Sequence, residues 1–124
     1  MAKTVMIIDD SSTMVMSLKN SLEIAGFNAL TAGDGAIAMN SLQGGAKPDL
    51  IITDINMPNM GGIEFIGKAR KLPGFRFIPI LALTTESHGA TREEAKRLGA
   101  TGWLLKPVTG GDLVKVIKQL LPGA

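Results

Sequence analysis

The sequence predicts an α/β fold: a doubly wound (βα)5 three-layer sandwich with a five-stranded parallel sheet. Short runs rich in valine, isoleucine and leucine alternate with longer amphipathic stretches, the pattern of parallel strands covered by helices on both faces. Five such pairs follow one another with no linker, repeat or low-complexity tract between them. Apolar residues make up 45% of the chain but never form a membrane-length run, because charge, glycine and proline interrupt them.

Strands are expected over Val5 to Ile8, Asn28 to Ala32, Leu50 to Thr53, Ile78 to Leu83 and Gly102 to Leu105. The second, with Asn28 and Thr31, has the weakest strand signal. Helices are expected near Ser12 to Ala25, Asp34 to Gln43, Ile63 to Leu72, Thr91 to Leu98 and Asp112 to Leu121. The last is the clearest. Leu113, Val116, Ile117, Leu120 and Leu121 recur at helical spacing, Thr109 to Asp112 forms a capping pattern, and Pro122 stops the helix. The fourth reads as capped by Thr91 and Glu94, with Ala95 and Leu98 nearly its whole apolar anchorage, so it is expected to be the most easily displaced.

At 124 residues the chain is expected to form one domain, residues 1–124, too short to hold a second folded module beside it. The start from Met1 to Ile8 is too short for a signal-peptide core and runs into two aspartates, so a cytoplasmic protein is expected, without membrane insertion. The absence of cysteine excludes disulfides, thiolate metal sites and a cysteine nucleophile. Thirteen lysines and arginines against eleven acids are scattered, which gives no nucleic-acid footprint.

In such a sheet, ligands bind beyond the carboxyl ends of the strands, where strand order reverses. There the first strand ends in Asp9-Asp10, the third in Asp54, the fourth in Thr84 and the fifth in Lys106. Three carboxylates at one rim repel one another unless a hard cation or an ammonium neutralises them, and Mg²⁺ suits few carboxylates with a phosphoryl oxygen. Asp54 is then a candidate nucleophile toward phosphorus, with Lys106 pairing the transferred oxygens and Thr84 donating a hydrogen bond to one. Singly, each residue has a plainer reading: a strand-end aspartate is usually a helix cap, and a strand-end threonine a turn former. Five such residues gathered at four strand ends argue for a site.

Asp9-Asp10, Asp54-Ile55-Asn56-Met57-Pro58, Thr84 and Lys106-Pro107, in that order and spacing, resemble the response-regulator receiver family across the whole chain. Asp10-Ser11-Ser12-Thr13-Met14, Asn56-Met57-Pro58-Asn59-Met60 and Gly26-Phe27-Asn28 are most similar to its single-domain chemotaxis (CheY-like) members. The resemblance implies a flavodoxin-like strand order 2-1-3-4-5, with Asp54 as phosphoacceptor. It implies Mg²⁺ bound by Asp10, Asp54 and the Asn56 backbone carbonyl, with Asp9 through water. A cis bond between Lys106 and Pro107, a Thr84–Trp103 switch, and tuning of dephosphorylation by Asn56 and Glu86 are also implied.

Trp103 stands where tyrosine or phenylalanine is usual, Gly61 where an acid is common, Val15 where arginine often follows methionine, and Val108 where phenylalanine often follows. The implied partners are a histidine kinase as donor and, through the fourth helix, fifth strand and fifth helix, a flagellar motor switch protein or other target. A phosphatase or a phosphate-sink kinase is a further implied partner, and a monomer is expected. On this reading the chain is not an enzyme but a phosphoacceptor switch that takes phosphate from small donors and loses it to water.

Two rivals belong to other classes. A haloacid-dehalogenase-like phosphatase needs a second aspartate two residues after its nucleophile, where Asn56 stands, and an amide cannot shuttle that proton. A phosphorylation-independent binding module would not need Asp54, Asp10 and Lys106 together. Gly33 to Ala38 fits a dinucleotide fingerprint but follows the second strand, where a turn and an Asp34 cap explain it. His88 has no second histidine or cysteine with which to share a metal, and Lys96, Lys115 and Lys118 read as solvated helix faces.

Overall fold

A computed structural model describes residues 2–84, 89–106 and 108–121, and of residues 89–92 the backbone alone. Five helices alternate with five strands: β1 (Thr4–Ile8), α1 (Ser12–Ile24), β2 (Asn28–Ala32), α2 (Gly35–Gln43), β3 (Leu50–Asp54), α3 (Gly62–Ala69), β4 (Ile80–Thr84), α4 (Gly89–Leu98), β5 (Gly102–Leu105) and α5 (Gly110–Leu120). The strands form one parallel sheet of order β2-β1-β3-β4-β5, the flavodoxin-like arrangement that the resemblance implied. Glu86, His88, Pro107 and Pro122 lie outside the described residues, and with them the Lys106–Pro107 cis bond, the helix stop at Pro122 and the Glu86 half of the expected dephosphorylation tuning.

Alternation along the strands divides the core in two. Met6, Ile8, Ile51 and Ala82 face one cluster with Met39, Phe65 and Ile66 of α2 and α3. Val5, Ile7, Leu50, Ile52, Leu81 and Leu83 face the other, with Leu18, Leu22, Leu113 and Ile117 of α1 and α5. The three inner strands are buried on both faces, whereas edge strand β2 exposes Asn28 and Thr31, which is why its sequence signal is weak.

Caps fix several boundaries. Ser11, Asp34 and Thr109 accept hydrogen bonds from the amides of Met14 (3.3 Å), Ile37 (2.9 Å) and Asp112 (3.1 Å), each satisfying a donor that a helix start leaves open. The Thr91 cap is corrected, because α4 begins at Gly89 and encloses Thr91. Ala95 of this helix is buried while Leu98 stays partly exposed, in keeping with a lightly anchored element. The expected start of β4 at Ile78 is also corrected to Ile80. Pro79 has no N–H to give the ladder, and its carbonyl accepts from Ile51 N at 3.0 Å.

The third helix stops at Ala69 rather than Leu72: the amides of Lys71 and Leu72 donate only three residues back, to Lys68 O and Ala69 O at 3.1 and 3.0 Å, and Pro73 follows with no N–H to continue the ladder. At its end Arg70 turns inward. Its Nε and Nη2 donate to the Gly99 carbonyl at 2.8 and 2.6 Å, and its Nη1 to the carbonyls of Phe75, Arg76 and Ile78 at 3.0, 3.2 and 2.6 Å. One guanidinium thus ties the α3–β4 loop to the α4–β5 turn. Gly99 is required there, since its φ is +116° and a Cβ would lie 2.8 Å from Arg70 Cγ. Arg70→Met leaves these carbonyls without their donor and should lower unfolding stability by about 2–4 kcal/mol in urea titrations. A loss under about 0.5 kcal/mol would show that the clamp contributes little.

Candidate functional site

The parallel register brings the carboxyl ends of β1, β3, β4 and β5 to one rim. Asp9 is 2%, Asp54 8% and Thr84 3% exposed, while Asp10 faces solvent. A serial set of contacts holds Asp9: its amide donates to Ala32 O at 3.1 Å, and its Oδ1 accepts from Ser11 N at 2.9 Å. Its Oδ2 accepts from Lys106 Nζ at 3.1 Å. The same ammonium lies 3.0 Å from Asp54 Oδ2, while Asp54 Oδ1 accepts from Ile55 N at 2.8 Å. Lys106 owes its place to β5, its amide donating to Thr84 O at 2.8 Å.

Carboxylate oxygens of Asp9, Asp10 and Asp54 lie within 4.8 Å of one another. Three negative charges against one ammonium leave two uncompensated, and the Asp10 carboxylate has no hydrogen-bond partner among the described residues. This all-oxygen donor set fits a hard divalent cation such as Mg²⁺. Burial pushes the Asp54 carboxyl above its ordinary range, opposed by Lys106 and reinforced by the Asp9 charge. Burial alone would depress Lys106, but hydrogen bonds and charge from Asp54 and Asp9 outweigh it and hold the ammonium above its usual value. The partnership favours the ionised pair, so Lys106 is a fixed cation at this rim.

The α3 start sets the position of Asp54. A Cβ on Gly62 would lie 2.1 Å from the Asp54 carbonyl oxygen, which also accepts from Thr53 Oγ1 at 2.9 Å. Sequence reasoning missed Gly62; its only signal was the glycine pair after the Met-Pro loop. Gly61, the departure noted there, caps α3 through its backbone with no side-chain bond. Asn56 is exposed in that loop, while Met57 and Met60 pack against the α2–α3 core cluster.

Between Asp54 and α3 the loop crosses the start of α2. Asn59, at φ +65°, donates Nδ2 to Asp34 Oδ2 at 2.8 Å. Gly35 N donates to Met60 O at 3.0 Å. That amide is occupied, so the turn-and-cap explanation of the Gly33 to Ala38 stretch holds. The Asn59 hydrogen bond, then the Ile37 amide, holds the Asp34 carboxyl below its ordinary value. On β4 and β5, Ala82 pairs with Trp103 and Thr84 with Leu105. Trp103 is half-buried against the cluster that contains Ala82, which puts Thr84 and Trp103 on the same sheet face.

These strands, this rim and the sequence motifs define a response regulator receiver domain, and the chain belongs to that family, whose profile matches residues 5–118. Over 117 residues it is 37% identical to the chemotaxis protein CheY1 of Helicobacter pylori, covering 94% of each chain. The chemotaxis protein CheY4 of Vibrio cholerae superposes with a TM-score of 0.92 at 39% identity, covering 98% of this chain and 100% of the other. The sensor histidine kinase CheAY of Helicobacter pylori matches at 34% identity over 93% of this chain, which spans 14% of that longer protein.

Gly62→Ala should cost about 1–3 kcal/mol by calorimetry through collision with Asp54. Gly111→Ala, with no atom within 4 Å of its Cβ, should be neutral or stabilising by about 0.5–1 kcal/mol. Equal effects at the two positions would remove the special role of Gly62. The depressed carboxyl of Asp34 contributes stability present above its unfolded value, about 3.9, and lost as pH falls through its folded value. The urea-midpoint gap between the wild type and Asp34→Asn should therefore hold from pH 7 to about 4 and narrow below it. A gap unchanged into acid would refute that assignment.

Proposed function

We propose that the chain works as a single receiver domain in which Asp54 accepts a phosphoryl group from a histidine kinase. The observation that carries this reading is the Lys106 ammonium 3.1 Å from Asp9 and 3.0 Å from Asp54, beside the Asp10 carboxylate. An Asp54 oxygen attacks phosphorus, the bond from phosphorus to the donor's histidine nitrogen breaks, and the electron pair leaves with that nitrogen. Asp10, Asp54 and the Asn56 carbonyl would hold Mg²⁺, with Asp9 reaching it through water. When bound, the ion screens the carboxylates and the charge on the transferring oxygens. Lys106 then exchanges Asp54 for a phosphoryl oxygen, and the Thr84 hydroxyl donates to another.

Phosphorylation draws Thr84 toward the new group and lets Trp103 repack on the shared sheet face, altering the surface of α4, β5 and α5. Among the described side chains of α4 only Ala95 is buried, which supports that route. The chemotaxis relatives support a motor switch protein as target, and a phosphate-sink kinase or phosphatase as the route by which the signal ends. Asn56 and Glu86 set the rate of hydrolysis by water. The fold and this chemistry fit a cytoplasmic monomer; among the described residues no helix is long and apolar enough to cross a membrane.

Intact mass after incubation with acetyl phosphate should show one labile phosphoryl adduct that requires Mg²⁺ and disappears in Asp54→Asn. The adduct should also shift the amide resonances from Glu93 to Leu105. Absence of the adduct, together with absence of Mg²⁺ binding, would leave a receiver fold that serves only as a binding module.

A further inference from the structure

The loop from Ile55 to Gly61 reaches the rim with Asn56 and Asn59 exposed. Two bonds fasten it to the start of α2: Asn59 Nδ2 to Asp34 Oδ2 at 2.8 Å, and Gly35 N to Met60 O at 3.0 Å. Both Asp34 oxygens are committed, because Oδ1 accepts from Ile37 N at 2.9 Å. The seat is close, since a Cβ on Gly35 would lie 2.7 Å from the Met60 carbonyl. Asn59 can serve because asparagine tolerates its left-handed φ of +65°.

We propose that Asp34 and Asn59 are positioning residues for the divalent cation, holding in place the loop that carries the Asn56 carbonyl so that this carbonyl is ordered before the ion arrives. The inference rests on the phosphoacceptor reading and adds a role for two residues that touch neither the ion nor phosphorus. Mg²⁺ demands near-ideal octahedral geometry and gives up water reluctantly. A carbonyl on an unfastened loop would have to be ordered at the moment of binding, whereas a latched one is ordered beforehand. Linkage makes the effect reciprocal: an ion that favours the latched loop also tightens the latch and protects the start of α2.

Titration calorimetry with Mg²⁺ alone, on the whole chain, tests this. Asn59→Gly keeps the backbone conformation accessible while removing the latch, and should raise the Mg²⁺ Kd about tenfold, the worth of one charge-assisted hydrogen bond. Asp49→Ala serves as control. It removes a carboxylate that accepts from Thr4 N at 2.8 Å at the opposite rim, and should lower stability without moving the Kd. In the wild type, Mg²⁺ should slow hydrogen exchange at the Gly35 and Ile37 amides, an effect absent from Asn59→Gly. An unchanged Kd in Asn59→Gly, or an equal rise in Asp49→Ala, overturns the latch while leaving the phosphoacceptor reading intact. A wild type that binds no Mg²⁺ overturns both.

Discussion

Two buried carboxylates share one ammonium at the carboxyl rim of the sheet with a third, exposed one beside them, and much of the structure follows from holding them there. Like charges this close repel, and burial of Asp9, Asp54 and Lys106 strengthens repulsion and attraction alike. The arrangement survives because each buried carboxylate has backbone donors as well as Lys106: Ser11 N for Asp9 and Ile55 N for Asp54. Supplying those donors requires a turn directly after each strand, so the helices must begin at this rim. Stability and charge clustering are opposed here, which is common where a site has been built for a ligand that completes it.

Much of this was legible in the chain. The inner strands, the α5 face and the residues of the rim were readable because each depends on a local pattern: an apolar run, a helical repeat, or the residue at which a strand ends. The two aspartates of Asp9-Asp10 were readable as a pair but not as a contrast. Only the sheet shows one buried against Lys106 and the other facing water.

What escaped was tertiary. The role of Arg70 could not be read from the helical repeat of Ile63 to Leu72, since its guanidinium finds carbonyls up to 29 residues away. Gly62 looked like loop composition until the Asp54 carbonyl was placed against it. Asn59 belonged to a motif, yet its partner lies 25 residues earlier in the chain. In each case the partner atom lies in another part of the fold, and no local pattern of residue types names it.

The Arg70 clamp has one more consequence, for α4. Gly99 follows the last turn of that helix, and its carbonyl is taken by two guanidinium nitrogens whose charge does not titrate. The carboxyl end of the helix is therefore pinned. The same guanidinium holds the Ile78 carbonyl just ahead of β4, so one side chain staples the entries to β4 and β5 together at the rim opposite the acidic one, and the two strands that lead to Thr84 and Lys106 start from a shared anchor.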